Sequence, residues 1–218
     1  MTSAEATQTP RQQQDPGAAP ATPALVRLGA WLFGHRTSLP LPLAVALLLI
    51  PADEKRGLAP FLGAACIAFG EGLRLWGVHH IGAISRTRSD RLGPLVSSGP
   101  FAYVRNPLYI GNIALWAGFA FAARLLWMVP VIIVVLGLEY HAIVRWEETL
   151  LASRRGEEYR VYAARVPRWL PTTSSGESSP SSLTPAAAFS WRETFFSERG
   201  TFVAIAAGYL LLWIKARF

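Results

Sequence analysis

Two apolar runs, Pro107 to Ala123 and Leu125 to Trp146, follow one another with only Arg124 between them. No other feature constrains the fold of this chain so tightly. Each run is near the length of a helix that crosses a bilayer, so the pair reads as a helical hairpin turning at Arg124, with Pro130 a first-turn or kink residue. Polar clusters flank it: Gly99 to Gly111 before, and Glu147-Glu148 after. A hairpin returns both to one side of the membrane, where an arginine, two tyrosines and a carboxylate pair can converge on a charged small molecule.

Composition agrees with a membrane protein. Apolar residues make up 51% of the 218 and charged ones only 16%, and the apolar ones lie in runs rather than amphipathic stripes. The fold class expected is all-α, a polytopic membrane helix bundle of four to five transmembrane helices. The formal charge of +7 does not argue for nucleic acid, because the arginines sit beside apolar segments, as positive-inside topology requires. The lone Cys66 lies in an apolar run, which removes a disulfide framework and a cysteine zinc site.

Four regions follow from this reading. Residues 1 to 24, rich in Gln, Ala, Pro and Thr, read as a disordered cytosolic tail. Residues 25 to 171 form the membrane domain. Within it, Leu25 to Phe33 is expected at the interface, Leu39 to Ile50 spans only with help from its flanks, and Pro60 to Ile81 spans comfortably. Residues 172 to 188 are a Ser, Thr and Pro-rich linker. Residues 189 to 218 hold a last apolar run, Thr201 to Ile214, which is short for a span and is expected to be either interfacial or transmembrane.

Basic residues set the expected orientation. Arg86, Arg88, Arg91 and Arg105 precede the hairpin, and Arg145, Arg154, Arg155, Arg160, Arg165 and Arg168 follow it. Both groups are expected to face the cytoplasm, and the balanced loop Asp53-Glu54-Lys55-Arg56 to face out. This is the pattern of an integral protein of a prokaryotic cytoplasmic membrane.

The motifs carry a resemblance. Gly99-Pro100-Phe101, then Arg105-Asn106-Pro107-x-Tyr109-x-Gly111, then Glu147-Glu148-x-x-Leu151, Gly156-x-x-Tyr159, Tyr162 and Val166-Pro167-x-x-x-Pro171 resemble the isoprenylcysteine carboxyl methyltransferase and phospholipid methyltransferase superfamily. The likeness covers about Val78 to Pro171. Asn106 stands where that family often has His, which removes one titratable group, and Arg155 stands where an aromatic usually precedes the glycine.

The resemblance implies S-adenosylmethionine as cofactor, bound in a cytosolic pocket, and a lipophilic or prenylated acceptor arriving from the membrane lipid. A donor with a sulfonium, an ammonium, a carboxylate and a ribose needs a cation, acidic acceptors and π faces. On that basis Arg105 is assigned to an anionic group, Glu147 or Glu148 to the ammonium or ribose hydroxyls, and Tyr103, Tyr109, Tyr159 and Tyr162 to walls or hydroxyl contacts. Asn106, Pro107 and Pro167 complete the expected cofactor site. Gly111 lets the ligand or a neighbouring helix approach the backbone, and the Val166 to Pro171 turns fold the segment back as a lid. Arg105 and Glu148 are the expected catalytic pair, with Glu148 removing a proton when the acceptor is an amine; a carboxylate acceptor needs alignment and dryness rather than a base.

Each of these residues has a plainer reading: interfacial ion pairs for the glutamates, a snorkelling topology signal for Arg105, an aromatic belt for the tyrosines. Glu71 and Arg74, three apart in one helix, read as an internal ion pair or as a polar wall for an acceptor head group. Glu139 and His141 are expected near the same cavity. His79 and His80 point to different sides of a helix, so no metal site is expected. A nicotinamide-dependent membrane reductase of sterol-reductase type and a non-enzymatic membrane scaffold are the alternative functions.

Overall fold

The computed structural model describes residues 23–52, 57–82, 95–171 and 190–217. The expected tail, the loop Asp53 to Arg56, Arg86, Arg88 and Arg91, and the linker lie outside these residues. Among the described residues the chain forms seven α-helices: α1 (Ala24–His35), α2 (Leu41–Leu49), α3 (Ala59–Ile81), α4 (Pro107–Ala122), α5 (Met128–Arg155), α6 (Glu157–Arg165) and α7 (Trp191–Lys215). Three of them, α3, α5 and α7, are long and apolar enough to cross a membrane, and α4 is a shorter apolar helix. The all-helical membrane bundle expected from the sequence is the fold observed.

Local chemistry sets the boundaries. Pro60 and Pro107 stand in the first turns of α3 and α4, where a missing N–H costs nothing. The hairpin turns where expected: Arg124 adopts φ 58°, its N–H bonds the Phe121 carbonyl, and Leu125 N–H bonds the Ala120 carbonyl. That pair of bonds is a Schellman closure in which a non-glycine residue takes the left-handed position. Leu125, fully buried, then pins the turn to the core around Ala120, Met128, Ile132 and Leu136.

Helices α3 and α4 pack backbone to backbone. A Cβ on Gly70 would lie 2.7 Å from the Gly111 carbonyl oxygen, and one on Gly111 would lie 2.7 Å from the Arg74 side chain. Small residues at such crossings let dispersion contacts form where lipid offers no hydrophobic drive. Gly111 is therefore used for helix contact.

The two N-terminal apolar segments are separate short helices, as the sequence divided them: α1 and α2 part at Arg36 to Pro40, and α1 packs on α5 through Gly29 and Phe33. One expectation needs correction: the last helix is not short. It has 25 residues, about 38 Å of helix, because it starts ten residues before Thr201 at a capping box in which Ser190 and Glu193 bond each other's backbone N–H. Helix α7 runs antiparallel to α3: Trp191 stacks on His79, Glu198 meets Arg74, and Lys215 Nζ reaches the Leu47 carbonyl near the opposite end.

Candidate functional site

After α3, the 3-10 turn Gly99–Ala102 leads through Tyr103 and Val104 to Arg105. Arg105 is fixed by its own backbone, whose N–H donates to the Pro167 carbonyl over 2.9 Å. Beside it, the Asn106 side chain donates to the Arg168 carbonyl over 3.1 Å. The expected fold-back of residues 166 to 171 therefore exists, tied by two bonds to the entry of α4. Trp169 adds a contact to His141, Nε1 to Nδ1 at 3.4 Å.

Five residues assigned from the sequence converge here. Arg105 Nη1 lies 3.0 Å from Glu148 Oε1 and donates to the Tyr159 hydroxyl over 3.2 Å. Tyr109, in the first turn of α4, donates to Glu147 Oε1 over 3.0 Å. The neighbouring glutamates thus face different partners, as the ~100° step between adjacent helical residues demands. Arg105 Nε is buried with no hydrogen-bond partner among the described residues, a donor suited to an anionic ligand group.

The other assigned residues take supporting positions. Tyr162 is buried and donates to the Phe101 carbonyl over 2.9 Å, holding α6 against the 3-10 turn. Burial pushes both the Tyr159 and Tyr162 phenols up, so both stay neutral near pH 7. Pro107 is buried at the start of α4. Tyr103 is turned toward α3, its ring 6.2 Å from that of Trp76.

Several groups escaped the sequence reading. Arg168, read there only as a topology signal, grips Glu148 through Nε and Nη2 at 2.8 and 2.7 Å. That hydrogen bond to Glu148 raises its own pKa. Its position between Pro167 and Pro171 was the available signal. Arg36, before the family-like stretch, acts electrostatically on both Glu147 and Tyr109.

A second polar cluster lies deeper. Arg74 pairs with Glu71 at 3.6 Å, as the i, i+3 spacing suggested. Its shorter contacts were not foreseen: Glu198 at 2.6 Å and Thr201 at 3.2 Å, both on α7, and Asn112 on α4. Near it, the Tyr140 ring lies 4.7 Å from that of Tyr109. His79 turns to Thr194 and Trp191, and His80 to the Trp76 carbonyl.

The fold and this cluster define a polytopic helical membrane protein with a charged site at one end of the α4–α5 hairpin. Residues 58–158 match the phospholipid methyltransferase family, which belongs to the isoprenylcysteine and phospholipid methyltransferase superfamily that the motifs resemble. The matched family is one of membrane methyltransferases.

Among curated proteins, a nickel-cobalt-cadmium resistance protein of Alcaligenes xylosoxydans xylosoxydans is 31% identical over 101 residues, covering 46% of this chain and 44% of that protein. A cobalt-zinc-cadmium resistance protein of Cupriavidus metallidurans is 36% identical over 80 residues, covering 37% of each. The chain thus spans less than half the length of these relatives. No solved structure matches the chain significantly.

Proposed function

We propose that this chain transfers methyl groups from S-adenosylmethionine to a lipid-like or isoprenylated acceptor, a carboxylate or an amine, at the cytosolic membrane face of a prokaryotic cell. The observation that carries this reading is the convergence of Arg105, Tyr109, Glu147, Glu148 and Tyr159 at one end of a membrane hairpin, largely within the segment that matches the family.

The residues suit the cofactor's chemistry. Arg105 keeps a buried Nε donor in reserve, and Glu147 engages one oxygen with a single neutral hydroxyl. When bound, the cofactor supplies a methyl group on a sulfonium, open to in-line displacement. The protein's own contribution is alignment and exclusion of water. Both oxygens of Glu148 are held by Arg105 and Arg168, which favours an orienting role over the proton removal expected of it from sequence. Glu147 receives the ammonium or ribose hydroxyls. Tyr109 and Tyr159 fix the two acidic and basic groups, and residues 166–171 cover them.

Calorimetry on the purified protein with S-adenosylmethionine, S-adenosylhomocysteine and reduced nicotinamide cofactors tests this reading. Saturable binding of the first two supports it, with a stabilisation of about 2.7 kcal/mol at one hundred times the dissociation constant. Binding of the nicotinamide cofactor alone would replace it with the reductase alternative, and binding of none by folded protein with the scaffold.

A further inference from the structure

The sequence assigned the anionic end of the ligand to Arg105. The structure shows how much of Arg105 is already engaged: Nη1 serves Glu148 and Tyr159 together, and Glu148 is shared with Arg168. A second cation stands nearer the other glutamate. Arg36 leaves the end of α1, stacks its guanidinium 3.8 Å over the Phe33 ring, and donates from Nη1 to the Phe33 carbonyl over 2.9 Å. Phe33 in turn packs 4.8 Å from Trp146, the residue before Glu147.

The backbone fixes this placement. A Cβ at Gly29 would strike the Ala142 carbonyl and reach to 3.0 Å from Trp146, so α1 lies against α5 with no spare distance. Its next turn delivers Phe33 to Trp146, and Arg36 follows. Arg36 is half-buried, and its charge is felt at both Glu147 and Tyr109. No carboxylate lies within ion-pair distance of it among the described residues; its hydrogen bond and its ring contact there are both to Phe33. A guanidinium stacked on an aromatic ring and bonded to one carbonyl keeps most of its five donors, in a fork that fits a carboxylate.

We propose that Arg36 and Glu147 together hold the α-amino acid end of the methyl donor, Arg36 taking the carboxylate and Glu147 the ammonium. An α-amino acid carries both charges on one carbon, so it is recognised by a cation and a carboxylate set close together and not already paired with each other. Arg36 and Glu147 are such a couple. Arg36 lies outside residues 58–158, so α1 becomes a functional part of the cofactor pocket rather than a preceding anchor. This inference rests on the proposed function, and it refines the earlier assignment of the anion to Arg105.

The test compares two ligands that differ in this end alone. S-adenosylhomocysteine carries the amino acid, whereas 5′-methylthioadenosine keeps the thioether and nucleoside without it. Both are titrated by calorimetry into the full chain in detergent, for wild type, Arg36→Gln and Arg36→Lys, each shown to be folded by its melting transition. Loss of a charge-assisted contact predicts that Arg36→Gln weakens S-adenosylhomocysteine about 10- to 100-fold and leaves methylthioadenosine within about twofold, with Arg36→Lys intermediate.

Equal weakening of both ligands would mean that Arg36 only shapes the pocket, and undiminished affinity for S-adenosylhomocysteine would mean that it does not touch the donor; either overturns the inference while the methyltransferase reading stands. Absence of binding by the wild type would overturn both. If Arg36 instead grips an anionic acceptor head group, the substitution spares S-adenosylhomocysteine and lowers retention on vesicles of anionic phospholipid, which also contradicts the proposal.

Discussion

Arg168 holds Glu148 at two points, Nε to Oε1 at 2.8 Å and Nη2 to Oε2 at 2.7 Å. This fork ties the segment after α6 to the C-terminal part of α5, and Arg105 shares the same carboxylate. One glutamate thus neutralises two arginines from opposite sides of the site. Its removal leaves two cations facing each other in a half-dry cleft. Glu148→Gln is expected to destabilise the protein by about 2–3 kcal/mol. Arg168→Lys, which keeps the charge but loses the fork, should cost less. Melting curves in detergent check both, and an unchanged melting point for Glu148→Gln would show that the cluster does not hold the fold-back in place.

Glu147 faces a single tyrosine hydroxyl, so its substitution should read out in ligand binding more than in stability. Glu147→Gln is expected to weaken S-adenosylhomocysteine by about 1.5–3 kcal/mol. Glu71→Gln should leave that affinity nearly unchanged, because Glu71 lies with Arg74 in the deeper cluster. Calorimetry on the two variants separates them, and equal affinities would remove Glu147 from the site.

Much of this was legible in the sequence. The hairpin, its turn at Arg124 and the first-turn prolines follow from hydrophobic length and backbone chemistry, which are local. The meeting of Arg105 with Glu148 was legible only through the spacing of a known motif set. What sequence hid was long-range: Arg168 and Glu148 are twenty residues apart, and Arg74 and Glu198 are 124 apart, so no periodicity links them. The length of α7 was hidden differently. Arg192, Glu193, Glu198 and Arg199 interrupt its first ten residues, so the unbroken apolar run starts only at Thr201, while the Ser190-x-x-Glu193 cap marks the true start.

Arg74 joins α3 to α7 through Glu198, a side chain with no solvent exposure. Truncating one partner strands charge in the membrane, so Arg74→Met should cost about 3–5 kcal/mol. The double variant Arg74→Met with Glu198→Met should recover part of that loss. A double-mutant cycle by thermal melting measures it, and strictly additive losses would contradict the coupling.

Because α7 runs antiparallel to α3 along its length, its two ends should lie on opposite membrane faces. In a Cys66→Ala background, a cysteine at Arg217 should react with a membrane-impermeant reagent added to intact cells. One at Arg160, exposed on α6, should react only after permeabilisation. Labelling of both from one side would show that α7 does not cross.

The most direct test of the account is methyl transfer itself. Purified full-length protein, reconstituted with lipid extracted from bacterial membranes, is incubated with S-adenosylmethionine carrying a tritiated methyl group, and label is counted in the organic-soluble fraction. The account predicts protein-dependent label that S-adenosylhomocysteine suppresses and that falls steeply in Arg105→Gln and Glu147→Gln. Transfer at the level of protein-free vesicles, from folded protein supplied with carboxylate, amine and prenylated acceptors in turn, would contradict it.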